Sequence, residues 1–181
     1  MSSGGPVIFR HRAAMMRLLP WLLALVLAAA LVQAARHHAT LPEQVATHFN
    51  ARGEPDDWMS RDAHAAFQAG LALFIAAVFA GLGRFIDRLP ARFINVPHRD
   101  YWFAPARRTA SLRAVAGLLN VIGCATLGFF MFVFHHVHRA NLSGGRLELE
   151  LMPLIIGQFL LIMGLVVAFL FRFRRPPGAE R

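Results

Sequence analysis

Residues 151–171 read LMPLIIGQFLLIMGLVVAFLF, a run with one polar side chain, Gln158, and no charge. At about 1.5 Å of rise per residue, a helix of that length reaches roughly 30 Å, the hydrocarbon thickness of a bilayer. From Leu160 to Phe171 the run is apolar on every side, whereas a helix of a soluble bundle keeps a polar stripe for water. Three more stretches share this character: Leu18–Ala35, Ala65–Gly83 and Ala114–Phe134. The sequence therefore predicts an all-α integral membrane protein with four transmembrane helices. Residues 1–181 form a single membrane domain, because the connections are too short for a soluble core of their own.

The net charge of +9 comes from arginine alone, since the chain has no lysine. Arg10, Arg12 and Arg17 precede the first span. Arg84, Arg88, Arg92, Arg99, Arg107, Arg108 and Arg113 lie between the second and third, and Arg172, Arg174, Arg175 and Arg181 follow the fourth. Only Arg36, Arg52, Arg61, Arg139 and Arg146 fall on the other side. The positive-inside rule then predicts both termini in the cytoplasm and the connections around 36–64 and 135–150 outside. Charge sorted in this way is topological; the partner it implies is the lipid bilayer and not nucleic acid. The single cysteine, Cys124, sits inside the third span as a small apolar thiol. A basic start, an apolar run and Val32-Gln33-Ala34 together resemble a cleavable signal peptide, but the run exceeds the usual ~7–15 residues, which argues for a retained helix.

The connection Arg36–His64 reads as an ordered outer loop. Thr40 and Glu43 have capping-box spacing with Pro42 in the first turn, which predicts a short helix. Val45, Thr47 and Phe49 then alternate as in a strand, and Gly53 with Pro55-Asp56 supplies turn chemistry for a hairpin. In an extended segment His48 and Asn50 share a face; Gly53 allows positive φ, and Asp56 is placed to accept a hydrogen bond from the His48 ring. Trp58, with an apolar body and one donor, suits the boundary before the second span. An ordered outer loop of this kind is the expected recognition element, for a peptide or another membrane protein.

The arginine-rich connection 84–113 is broken by Pro90, Pro97 and Pro105 and carries Tyr101-Trp102-Phe103. It is expected to lie flat in the inner interface, with Tyr101, Trp102, Arg107 and Arg108 as inner-leaflet anchors. Pro105 suits the first position of the third long helix. The last connection, His135–Glu150, turns at Ser143-Gly144-Gly145, and Leu147 and Leu149 alternate with charges beyond it.

Polar residues inside the spans are few. Asn120, Thr126 and Gln158 are expected to act as helix–helix glue, and Ala66/Gly70 and Ala77/Gly81 as small-residue contacts. No acid lies within a span, which argues against a proton-coupled transporter. Seven of the nine histidines fall on the expected outer side, among them His37, His38, His135, His136 and His138. Imidazole suits zinc or copper, so a metal site on those five is the alternative to ordinary interfacial histidines. No His-Glu-x-x-His, paired-cysteine, phosphate-loop or nucleophile-elbow pattern is present, so neither an enzyme nor a cofactor is expected.

The run from Leu41-Pro42 through His48-Phe49-Asn50 to Gly53-Glu54-Pro55-Asp56-Asp57-Trp58 resembles the signature of a bacterial membrane family of unknown function. The same domain opens the immunity protein that protects cells against the sporulation-delaying peptide toxin. A second stretch, Ile94 to Arg108, resembles the inner connection of the four-helix relatives. The resemblance implies a bacterial cytoplasmic-membrane protein and a binding, sensing or immunity-type role for the loop 41–58. It marks His48, Asn50, Gly53, Asp56 and Trp58. A metal-dependent membrane protein or enzyme using the outer histidines is the competing expectation.

Overall fold

The computed structural model describes residues 7–90, 93–147 and 151–174, with side chains from Leu18 onward except that of Leu151. Its elements are α1 (Val7–Thr40), β1 (Gln44–Phe49), β2 (Pro55–Ser60), α2 (Arg61–Phe85), a short α3 (Arg99–Trp102), α4 (Pro105–Leu142) and α5 (Leu151–Leu170). The helices α1, α2, α4 and α5 are long and apolar enough to cross a membrane, as the sequence predicts, and the chain is a multi-pass membrane protein. They outrun their apolar stretches. The 38 residues of α4 span about 57 Å against a hydrocarbon layer of about 30 Å, so its polar ends stand beyond it. Pro105 occupies the first turn of α4, where a missing N–H costs nothing.

Three of the long helices, α1, α2 and α4, pack on one another around Leu23, Ala30, Ala72, Ile75, Ala76 and Leu127. Helix α5 leans chiefly on α4, and none of its apolar stretch is buried. The expected small-residue contacts do not form: a Cβ on Gly70 or Gly81 would meet nothing within 4 Å. Spacing of small residues says nothing about which face they take, and these two face away from the neighbouring helices. Close approach falls instead at Gly123, where a Cβ would lie 2.9 Å from Phe79 Cβ and 3.2 Å from Leu23 Cδ1. Gly123→Ala is therefore expected to lower stability by about 1–3 kcal/mol through overpacking, while Gly70→Ala leaves it unchanged or slightly raised. Thermal unfolding of the two variants in detergent checks this contrast. Asn120 is buried but donates to Ala116 O of its own helix at 2.8 Å, so it does not bridge helices by that bond.

At the arginine-rich end the chain builds a second core from Ile86, Ile94, Val96, Phe103, Leu112 and Phe173. Three prolines break this connection into short pieces that fold back over the helix ends. At the opposite end β1 and β2 pair antiparallel, Gln44 with Ser60 through Phe49 with Pro55, with the register slipping around Thr47. No short helix precedes the hairpin. Thr40 is the last residue of α1, and its hydroxyl donates back to Arg36 O at 3.0 Å instead of capping a new helix. The N-cap signal belongs to Ser60, whose hydroxyl accepts from Ala63 N at the start of α2.

Candidate functional site

The hairpin is built by its turn. Asn50 Oδ1 accepts from Arg52 N (2.8 Å) and Glu54 N (3.1 Å), and Asn50 Nδ2 donates to Glu54 Oε2 at 3.0 Å. Both ends of the amide are thus spent within the turn, an Asx arrangement that fixes the loop. Gly53 adopts φ +75° and donates to Asn50 O at 2.9 Å. Its carbonyl accepts from Leu147 N at 2.8 Å, so the turn is tied to the connection that follows α4. Of the five candidate residues, Asn50 and Gly53 are therefore structural parts of the turn.

The remaining three face outward. His48 Nδ1 and Asp56 Oδ1 form a short cross-strand hydrogen bond in the open, and Trp58 is 52% exposed. An exposed pair of this kind contributes about 0–1 kcal/mol, so the fold has little need of it. Asp57 accepts from Trp58 N at 2.9 Å, which fixes the backbone below the indole.

What holds this exposed face still is a set of clasps from the bundle. Asn141 on α4 accepts from Ala46 N (2.8 Å) and donates to Ala46 O (2.9 Å), so one side-chain amide does for β1 what a third strand would do. It also lies 2.9 Å from Val137 O. Arg61 N donates to Glu43 O at 2.9 Å, and its guanidinium donates to Leu41 O at 3.2 Å. Val45 is fully buried beneath the sheet. The sequence held no local signal for Asn141, because its partner lies 95 positions away.

The histidines divide. Gln68 Nε2 lies 3.2 Å from His37 Nδ1 and 3.3 Å from His64 Nε2. An amide NH2 only donates, so in this arrangement both ring nitrogens accept, and Gln68 Oε1 and His64 Nδ1 are buried with no described hydrogen-bond partner. His37, His64 and Gln68 are 5%, 2% and 4% exposed, and they join α1 to α2. His138 of α4 stacks on His37 with centroids 4.1 Å apart, and its Nε2 meets Thr40 Oγ1 at 2.8 Å. Gln68 also lines a cavity of about 10 Å³ with Gln33, Leu127 and Phe134, enough for about one water. The other candidates disperse: His38 pairs with Asp62 at 2.7 Å, His136 bonds Phe132 O at 3.0 Å, and His135 is exposed with its ring edge-on to His136. Stacked parallel rings send their lone pairs along parallel planes, so His37 and His138 do not converge on one point. Among the described residues no group of three or more His, Cys, Asp or Glu is gathered to hold a metal ion. Gln68, which organises this end, was missed in the sequence although it lies inside an apolar span.

At the arginine-rich end Tyr101 is half-buried with the Arg107 guanidinium stacked on its ring, 3.8 Å from the centroid. Arg107 Nε also donates to Tyr101 O at 2.8 Å, and Arg108 donates to Asp87 O at 3.1 Å. Trp102 packs edge-on against Phe173, 5.6 Å between centroids, with its Nε1 buried. Its half-buried ring packs against the second core.

Residues 21–73 match the family model of a domain of unknown function (DUF1648). The matched segment runs from within α1 through the hairpin into α2, and leaves out α4, α5 and the stretch 94–108. No curated protein and no solved structure matches the chain.

Proposed function

We propose that this chain is a non-catalytic binding or sensing module of the bacterial cytoplasmic membrane, with both termini inside, whose hairpin meets a peptide or another membrane protein on the outer side. The observation that carries this reading is the division of labour within the hairpin. Its backbone is fastened to the bundle at Ala46, Gly53 and Glu43, while Trp58, His48 and Asp56 are left presented and unused by the fold. A rigid platform with one aromatic and one hydrogen-bonded His–Asp pair is suited to recognition, since the ordering cost is already met before a partner arrives. An immunity-type role falls within this class, with a toxin-like peptide as the bound species. The resemblance of residues 41–58 supports it. The orientation rests on the fourteen-to-five division of arginines.

Reporter fusions after Gly53 and Gly144 are expected to read as external, and fusions after Pro97 and at the C-terminus as cytoplasmic. A cytoplasmic signal from the Gly53 fusion overturns the orientation. His48→Ala and Asp56→Ala are expected to change stability by less than about 1 kcal/mol, as befits an exposed pair, yet to abolish the cellular phenotype of the chain. Loss of stability in step with phenotype reduces the pair to a structural clasp. Near-stoichiometric zinc or copper in detergent-purified protein would replace this reading with the metal-dependent one.

A further inference from the structure

Beside the hairpin, a pocket of about 140 Å³ opens between the last turns of α4 and the connection that follows. It is lined by His136, Arg139, Ala140, Ser143, Arg146 and Leu147. Its polar groups are not equally available. Ser143 Oγ donates to Arg139 O at 2.8 Å, so its one hydrogen is spent. His136 Nδ1 is engaged with Phe132 O, which leaves Nε2 toward other partners. Among the described residues Arg146 donates only from Nε, to Arg52 O at 3.2 Å, and the four hydrogens of its terminal nitrogens find no described partner. The Arg139 side chain makes no hydrogen bond among the described residues, and no described carboxylate is paired with either arginine.

An arginine in the last turn of a helix ordinarily serves the negative end of the helix dipole. Two of the four carbonyls at that end are already answered here: Ser143 N donates to Arg139 O at 3.0 Å and Gly145 N to Ala140 O at 2.7 Å. The second arginine, moreover, comes from the connection and not from the helix. Two guanidinium groups from separate segments, around a concave space floored by Ala140 and Leu147, offer donors from more than one direction, as a tetrahedral oxyanion requires. We propose that this pocket binds a phosphate group, either the headgroup of a phospholipid at this end of the bundle or phosphate free in solution. The proposal stands apart from the hairpin face, since neither His48 nor Trp58 lines the pocket.

The test uses the full chain purified in a neutral, phosphate-free detergent, with Arg139→Gln as the variant, because Arg139 has no described side-chain partner to lose. Bound phospholipid is quantified by mass spectrometry, and thermal unfolding is followed in inorganic phosphate against chloride at equal ionic strength. Phospholipid retained by the wild type and lost from Arg139→Gln identifies the headgroup as the source. A saturable rise of several degrees in phosphate, seen in the wild type without retained lipid and absent from Arg139→Gln, identifies free phosphate. Equal lipid retention and equal response to phosphate in both proteins overturn the proposal. So does the absence of any retained lipid or phosphate response from the wild type. Arg139→Lys, which keeps the charge but not the fork, is expected to retain only part of either effect.

Discussion

Gly53→Val is expected to remove most of the folded protein from the membrane. Two independent costs meet at this position. The backbone sits at φ +75°, where a β-branched side chain loses about 1–2 kcal/mol to contacts with its own carbonyl. Any Cβ would also lie 2.3 Å from Leu147 O, a backbone atom held by the Leu147 N to Gly53 O bond at 2.8 Å, so the clasp itself must yield. Together these amount to about 3 kcal/mol or more, a large part of the roughly 5–15 kcal/mol that ordinarily holds a domain folded. Gly144→Ala is the control: it carries positive φ as well, but nothing lies within 4 Å of its added Cβ. Its expected loss is the strain alone. Membrane abundance and size-exclusion profiles measure both, and wild-type abundance of Gly53→Val would show that the turn is not fastened to the connection after α4.

The second large effect is expected from Gln68→Leu. The substitution keeps the side chain's bulk and its fit among Ala72, Leu127 and Phe134, but it takes from two buried ring nitrogens the donor that faces them among the described residues. A buried acceptor left without a partner costs about 1–3 kcal/mol, and two are orphaned here, so a loss of about 2–5 kcal/mol is expected. Thermal unfolding in detergent measures it. Wild-type stability of Gln68→Leu would mean that the histidine cluster does not tie α1 to α2.

Much of this architecture was legible because hydrophobic length is read directly by the bilayer. The run 151–171 lies almost wholly within α5, and each of the other three apolar stretches lies within one long helix. The turn was legible from Gly53, which takes the positive φ that few residue types permit, but Pro55-Asp56, expected to be part of it, opens β2 instead. The misreadings have a common cause. Hydropathy marks where lipid ends and not where a helix ends, so α1 continued through Arg36-His37-His38 to Thr40, and the capping signal at Thr40 marked a stop instead of a start. Residues whose roles depend on distant partners left no local trace. Asn141 looks like any polar residue near a helix end, and Gln68 like a tolerated amide in a span, until Ala46 and His37 are brought beside them. The five hairpin residues marked in the sequence divide into turn-builders and presented groups, and that division was not legible, because it depends on which atoms the turn consumes.

The central claim is that a rigidly held hairpin presents Trp58 to a partner outside the membrane. A photo-crosslinking amino acid at position 58 of the full chain in living cells tests it most directly, with position 21 as the comparison, because Trp21 is exposed on the apolar part of α1. The account predicts a discrete adduct with one peptide or protein from position 58, lost in the His48→Ala background and absent from position 21. Adducts with lipid alone from both positions, or an adduct from position 58 that survives His48→Ala and Asp56→Ala unchanged, would contradict it.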